Sequence, residues 1–468
     1  MSHYSSPAEK DLKHDLENDQ PALNNTPSIA GEAQVHDDVF GDITDEGPNY
    51  RAVGWIGTVA LMMKTQVGLG VLSIPAVFDV LGILPGIICL IVIAGITTWS
   101  DYMIGVFKRN HPQIYGIDDA GFLIFGRVGP NKSVWIFVAG SGMLGISIGL
   151  NAVSLHGTCT AVFVAVAAIC GFLLASVRTL GRISMLAWVG LVCIMTAIFT
   201  VTIAVGVQDR PAAAPQEGHW KSDWKVVGNP SFTEAISSIS SLIFAYAGTP
   251  GFFAIAAEMK RPEHYTRSLL ICQAGVTITY IVIGCVVYLY CGSYVASPAL
   301  GSAGHLIKRV AYGISLPGLL ATTVLVIHFA AKYVFVRLLR GTKHLSSNSA
   351  VHWGTWLACT IITTIIAYLI ASGIPVFGGL VSLVGALLGT LMSFQLYGFM
   401  WLYDNWAKGK RDPNMKWYLM VAFSIFVIVS GTFLMIGGTY GSIVGIIDSY
   451  KASGGSAAFS CADNSNST

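Results

Sequence analysis

Charge is what this chain has least of. Asp, Glu, Lys and Arg make up 11% of its 468 residues, against about 25% in soluble domains. With 53% hydrophobic residues, this composition excludes a large water-soluble core and points to a polytopic membrane protein. There is no basic run, and the net charge of +2 gives nucleic acid no footing. No Cys-x-x-Cys pair occurs, so neither a metal site nor a disulfide framework is indicated. Most cysteines (Cys89, Cys170, Cys193, Cys272, Cys285, Cys359) lie inside apolar stretches. Cys159 and Cys291 fall near outer span ends, where a bridge between them is possible but has no motif to support it. The histidines are scattered, and no Ser/His, His/Glu or metal constellation forms. An enzyme is not expected, nor a cofactor.

Residues 1–50 differ in kind. They hold eleven acidic residues against Lys10 and Lys13, with Pro, Ser and Asn and few large apolar side chains. That reads as a disordered acidic tail. It lacks the basic start and apolar run of a signal peptide. It is either a solvated leader or a handle for cytoplasmic regulators, with Lys10 and Lys13 as modification targets. The remaining division is a transmembrane domain over 51–450 and a short flexible tail over 451–468.

A bilayer core needs about 20 apolar residues per helix. Eleven segments qualify, near 54–79, 83–107, 134–156, 158–177, 183–207, 232–257, 268–291, 315–339, 352–373, 376–402 and 417–442. Lys and Arg set the orientation. Lys108, Arg109, Lys260, Arg261, Arg340, Lys343, Lys408, Lys410 and Arg411 fall on one side with others. The opposite loops carry Arg210, Lys221, Lys225, Lys308 and Arg309. The N-terminus is therefore expected in the cytoplasm and the C-terminus outside. Trp55, Trp99, Trp220, Trp401 and Trp417 sit near span ends as interface anchors.

Two spans are interrupted by glycine. The first holds Gly68-Leu69-Gly70 shortly before Pro75, and the sixth holds Ala247-Gly248-Thr249-Pro250-Gly251. Unpaired backbone groups in lipid cost several kcal/mol each, so such breaks persist only beside a cavity or ligand. A lone Gly-x-Gly is commonly a close-packing face. Two breaks at matching positions in the two halves point instead to a secondary transporter and its binding site. A half-helix N-terminus stabilises an anion, and the facing C-terminal carbonyls suit an amine. Together they fit a zwitterion, hence an amino acid. No carboxylate is expected at mid-membrane, because Asp79, Asp101, Glu234 and Glu258 all fall near span ends.

The run from Lys64 through Gly68-Leu69-Gly70-Val71-Leu72-Ser73-Ile74-Pro75 resembles the GxGxLxxP signature of the amino acid/auxin permease family. Phe244-Ala245-Tyr246-Ala247-Gly248-Thr249, with Glu258-Met259-Lys260-Arg261-Pro262 after it, resembles that family's sixth span and its ending. Asp119-Ala120-Gly121-Phe122-Leu123-Ile124-Phe125-Gly126 resembles its first inner loop. Leu155-His156-Gly157-Thr158-Cys159-Thr160 and Ser176-Val177-Arg178-Thr179-Leu180 are similar to the fungal neutral amino acid permeases of the methyltryptophan-resistance type.

The resemblance implies an all-α polytopic protein with a LeuT-like 5+5 inverted repeat, eleven transmembrane helices, and helices one and six broken. It implies proton-coupled import of neutral aliphatic and aromatic amino acids at the plasma membrane by alternating access. Carried residue by residue, it puts the substrate carboxylate on the backbone of Gly68, Leu69, Gly70 and Val71. The amine falls on Thr65 or Gln66 and on the Phe244 and Ala247 carbonyls. Tyr246, Gly248 and Thr249 shape the side-chain pocket. Asn151 either faces the pocket or makes an interhelical hydrogen bond.

Sodium-coupled members of the wider fold bind the ion between spans one and eight. Here that place offers the Val67 carbonyl, Thr322 and Thr323, but also Lys64, His328 and Lys332. A buried ammonium near the break is costly and needs a reason. It can replace a sodium ion or cycle its own proton. Lys332 is close enough to the inner end to snorkel, and His328 has the chemistry of a proton exchanger. A proton is favoured as coupling ion, with sodium the alternative. An amino acid sensor on the same fold, or a vacuolar exporter, would share these motifs.

Overall fold

A computed structural model describes residues 35–37, 41–43, 51–126, 134–211, 213–374, 376–452 and 459–465. The chain divides into two units, 1–35 and 36–468, and every membrane span lies in the second. The acidic tail lies outside the described residues except for two paired three-residue strands, Val35–Asp37 and Gly41–Ile43.

Nine helices are long and apolar enough to cross a membrane among the described residues, and two shorter ones, Thr160–Ala175 and Phe232–Ala245, are apolar as well. In order, span one is Trp55–Gln66 and, past a break, Ile74–Leu81. Span two is Ile83–Asn110, span three Val134–Ser154, span four Thr160–Ala175 and span five Leu180–Val207. Span six is Phe232–Ala245 and, past its break, Gly251–Ala257. Span seven is Tyr265–Cys291, span eight His305–Leu339 and span nine Ala350–Gly373. Span ten runs from Phe377 to Arg411 through two π-helical stretches, and span eleven is Met415–Ala452. The π stretches in span ten carry no signal in the hydropathy pattern; there Gly385 presses against the Ser240 carbonyl of span six.

Burial sorts these spans. In span one 83% of the apolar window is buried, which makes it central, whereas in span eleven 17% is, which makes it peripheral. Span eight packs most extensively, against span five and against span three. Small residues allow it: Gly318 of span eight meets the backbone of Gly190 and Ile194 in span five, and Gly142 of span three meets Thr323. Without a hydrophobic force between helices in lipid, such close van der Waals contact is what associates them.

Local sequence explains the ends. Pro75 sits in the first turn of Ile74–Leu81, where its missing N–H is harmless. Gly82, at φ +85°, ends that helix in a conformation glycine adopts without strain. Ser231 and Glu234 close a capping box on span six: Ser231 N–H donates to Glu234 Oε2 at 2.8 Å, and Glu234 N–H donates to Ser231 Oγ at 3.3 Å. Spans three and four turn through Leu155 and His156, both at positive φ, with His156 Nδ1 2.9 Å from Asn151 Oδ1.

One cysteine expectation is corrected. Cys159 is bonded to Cys461, not to Cys291, which is free and buried. The Cys461 segment also docks: Phe459 N–H donates to the Ser372 carbonyl at 2.8 Å, Thr160 Oγ1 to the Ala462 carbonyl at 2.6 Å, and Lys308 Nζ to the Ser465 carbonyl at 2.7 Å. Residues 459–465 thus lie against the ends of spans three, four, eight and nine.

Candidate functional site

The two breaks meet. A Cβ built on Gly70 would fall against Ala245, 2.9 Å from its Cβ, and one on Gly248 would be 2.6 Å from Thr65 Oγ1 and 2.9 Å from Gln66 Cγ. Any side chain at either glycine would push the breaks apart. The glycines are therefore close-packing residues and break residues at once.

Span seven ties the pair together. The Tyr280 hydroxyl lies 2.8 Å from both the Gln66 carbonyl and the Ala245 carbonyl, the last carbonyls of the first halves of spans one and six. Its ring packs edge-on to Tyr246 at 5.2 Å, and the Tyr246 hydroxyl lies 3.0 Å from Thr277 Oγ1. The sequence did not mark Tyr280, because one tyrosine in an apolar helix reads as an interface anchor.

The break of span one leaves backbone donors open. The Gly68 and Leu69 N–H groups have no hydrogen-bond partner among the described residues, while the Val67 N–H donates to Met63 at 2.6 Å. They sit at the N-terminal, electropositive end of the 70–81 segment. Val71 is fully buried behind them, and Leu69 packs against Gly145 of span three. In span six the Phe244 carbonyl accepts the Ala247 N–H at 3.0 Å, and Thr249 Oγ1 donates to the Tyr246 carbonyl at 3.1 Å. Thr65 Oγ1 donates to the Met62 carbonyl at 2.8 Å, and both polar atoms of the buried Gln66 amide lack partners among the described residues. The residues expected to hold carboxylate and amine are thus brought into one locus.

Lys64 occupies the place between spans one and eight. Its Nζ donates to the Val67 carbonyl at 2.9 Å and to Thr322 Oγ1 at 2.5 Å, and the residue is completely buried. Its stem runs past Gly190, where a Cβ would lie 3.1 Å from Lys64 Cε. Thr322 passes the chain on to the Gly318 carbonyl at 3.2 Å, while Thr323 donates to Leu319 at 3.0 Å and does not reach Lys64.

The other candidates lie elsewhere. Lys332 does not snorkel. It is 1% exposed and paired with Glu258 at the end of span six, and it also donates to the Arg178 carbonyl at 3.2 Å. Glu258 Oε2 accepts the Leu180 N–H at 3.0 Å, and the backbone at Val53 brackets the same turn through Glu258 and Lys260. These contacts fasten spans one, five, six and eight at one end. His328 is buried between spans eight and nine, 5.2 Å from the Trp356 ring, away from the breaks. Asn151 donates to Thr160 Oγ1 and to Asn464 Oδ1, each at 2.8 Å, and so spends its amide in hydrogen bonds between helices and tail.

One expectation fails. Asp101 does not behave as a residue at a span end: it is fully buried, bonded to Gln273 of span seven, and beside Thr249 in the break of span six.

A cavity of about 500 Å³ opens on the face that carries the disulfide, lined by Ile148, Lys308, Tyr312 and Asn464 among others. There Asp223 accepts from Ser293 N–H at 2.8 Å and Ser293 Oγ at 2.7 Å. Partial burial alone would raise its carboxyl, but these two bonds, a backbone hydrogen bond at Asp223 itself and the nearby Lys225 ammonium together outweigh it and hold the group below the usual carboxylate range.

Residues 51–444 match the family described as transmembrane amino acid transporter protein. A transmembrane transporter of Gibberella moniliformis is 33% identical over 94% of this chain and 97% of its own length. The N amino acid transport system protein of Neurospora crassa is 30% identical over 90% and 92%. Among solved structures, MhsT in complex with L-phenylalanine superposes at a TM-score of 0.50, with 12% identity, over 85% of this chain and 98% of that one. A sodium-coupled sialic acid symporter in an outward-open state superposes at 0.53, with 12% identity, over 86% and 92%. The chain belongs to the transmembrane amino acid transporter family, and its fold is the LeuT-like inverted repeat.

Proposed function

We propose that this member of the family imports neutral amino acids, aliphatic and aromatic, by proton symport with alternating access. The observation that carries the reading is Lys64. Its ammonium sits between the Val67 carbonyl and Thr322, where oxygen ligands would otherwise be offered to sodium. An amino group there takes up those oxygens, ties spans one and eight together and leaves no need for a metal ion.

The substrate carboxylate is received by the open N–H groups of Gly68 and Leu69 and continues onto Gly70 and Val71. The amine is received by carbonyls at the end of Phe232–Ala245, at Phe244 and Ala247, with Thr65 and Gln66 opposite. Neither break, 67–70 or 246–250, contains a charged residue, which supports a neutral side chain in the substrate. Tyr246, Gly248 and Thr249 bound the pocket.

The orientation adopted is N-terminus in the cytoplasm and C-terminus outside, at the plasma membrane. The Cys159–Cys461 bridge supports it, since disulfides persist on the oxidising side of a membrane. Proteoliposomes test the whole reading. Radiolabelled leucine and phenylalanine should accumulate under an imposed inward proton gradient without sodium. Accumulation only with sodium would reject the proton reading. Binding without accumulation under any gradient would favour a sensor. Vacuolar localisation in intact cells would favour an exporter.

A further inference from the structure

Asp101 lies in span two about 14 Å from its end, at 1.5 Å per residue, and is fully buried, as is Thr249, while Gln273 is 4% exposed. An ionisable side chain inside a membrane span is a functional residue by default and marks proton relays in pumps and transporters. Its surroundings are unusual in what they leave unused. Gln273 Nε2 donates to Asp101 Oδ2, while Asp101 Oδ1 and Gln273 Oε1 are both buried without a hydrogen-bond partner among the described residues. Each such atom in a native interior requires an explanation.

The explanation is that the pair suits two protonation states. A carboxylate only accepts hydrogen bonds, and a carboxylic acid also donates one. A glutamine amide offers a donor and an acceptor in nearly the same envelope, so a half-turn exchanges them. With Asp101 ionised, Nε2–H points at the carboxylate. With Asp101 protonated, the turned amide accepts the new O–H on Oε1.

Thr249 connects this pair to the transport machinery. Its hydroxyl has one hydrogen, which goes to the Tyr246 carbonyl at 3.1 Å and holds the turn of the span-six break. The Asp101 carboxyl lies beside that hydroxyl. An ionised carboxylate competes for the hydrogen, and a protonated one releases it to Tyr246. The remaining titratable neighbours are Tyr265 and Cys272 of span seven and Tyr397 of span ten. Tyr265 donates to the Asp101 backbone carbonyl at 2.8 Å. Span one and both halves of span six also pack on span two and bring no ionisable group to the carboxyl, and Asp101 has no ion-pair partner among the described residues.

We propose that Asp101 carries the coupling proton, with Gln273 as its two-way partner and Thr249 as the link to the break of span six. An O–H bond forms on the carboxylate as the proton arrives from the outer solution and breaks as it leaves to the inner one, with no electron transfer. This inference rests on the proton-symport reading above.

The test is Asp101→Asn in proteoliposomes, because asparagine mimics the protonated state permanently. The variant should keep substrate-induced thermal stabilisation and one-for-one exchange of labelled for unlabelled leucine. It should lose at least about tenfold in accumulation driven by the proton gradient, which corresponds to about 1.4 kcal/mol of coupling. Asp101→Glu should keep gradient-driven accumulation. If the Asp101→Asn variant fails to fold, Gln273→Glu takes its place. Two facing carboxyls share one proton, so the pH dependence of uptake should move toward alkaline by about one unit or more. Wild type that accumulates leucine on the proton gradient, together with an Asp101→Asn variant that does the same or a Gln273→Glu variant with an unchanged pH profile, overturns this inference alone. Wild type that accumulates only with sodium overturns the proton reading and this inference with it.

Discussion

Replacing Lys64 with alanine tests the claim that a lysine stands where a sodium ion would. The ammonium makes two hydrogen bonds, at 2.9 Å to the Val67 carbonyl and 2.5 Å to Thr322 Oγ1, in a fully buried place. A bond from an ionised donor contributes about 1.5–3 kcal/mol. Two such bonds total about 3–6 kcal/mol. Relief of the ammonium's desolvation when the side chain goes returns part of this, and with about half returned a net loss of about 2–3 kcal/mol follows. At about 1.4 kcal/mol per factor of ten, the population with spans one and eight joined falls about 30- to 150-fold.

The assay is leucine uptake into proteoliposomes on a proton gradient, first without and then with added sodium, alongside thermal unfolding in detergent. Without sodium the alanine variant should lose about 30-fold or more in initial rate and unfold at lower temperature. The freed Val67 carbonyl, Thr322 hydroxyl and Gly318 carbonyl are hard oxygen ligands, so sodium should restore part of both losses. A Lys64→Ala protein that transports like wild type without sodium, at an unchanged unfolding temperature, would refute the reasoning.

Three further outcomes are expected. Gly70→Val should abolish uptake while leaving the protein in the membrane, because its Cβ would already lie 2.9 Å from Ala245 Cβ; uptake within a factor of two of wild type removes the argument from the breaks. Lys332→Met strands the buried Glu258 carboxylate and should lower stability by about 3–5 kcal/mol, with the Lys332→Met/Glu258→Met pair recovering at least half; a double variant as unstable as the single one denies that the two act as a pair. Cys461→Ser frees Cys159 from its bridge, so a membrane-impermeant maleimide should label Cys159 in intact cells, whereas labelling confined to permeabilised cells reverses the orientation.

The parts of this molecule written in the sequence are those with a local cause. Gly68-Leu69-Gly70 and Gly248-Thr249-Pro250-Gly251 break their helices because backbone conformation and the missing proline N–H act within a few residues. The spans are legible because apolar length is a local property. What stayed hidden depends on which side chain arrives from elsewhere. Cys159 and Cys461 are 302 residues apart, and spacing motifs do not reach that far. Lys332 reads as a snorkelling residue until Glu258 of span six is placed against it. Asp101 reads as a charge near a span end because hydropathy locates a helix along the membrane normal but does not say which face it buries. Tyr280 carries no local mark, although its hydroxyl touches the carbonyls of both breaks.

The arrangement of these hidden contacts constrains how coupling works. Lys64 joins the break of span one to span eight, and Asp101 with Gln273 joins the break of span six to spans two and seven. Tyr280, also on span seven, touches both breaks. A substrate whose carboxylate sits on the first break and whose amine sits on the second strains or relaxes both joints at once. Lys64 bonds Val67 and Thr322, and those bonds bear on how firmly span one is held. The Asp101 pair changes its donor pattern with protonation, and that bears on when span six is released. A chain with only the first joint would bind an amino acid without using a proton gradient; one with only the second would respond to protons without a firm hold on span one. On the proposed reading, the pairing of a buried lysine at one break with a switchable carboxyl at the other makes concentrative transport without sodium physically coherent in this fold.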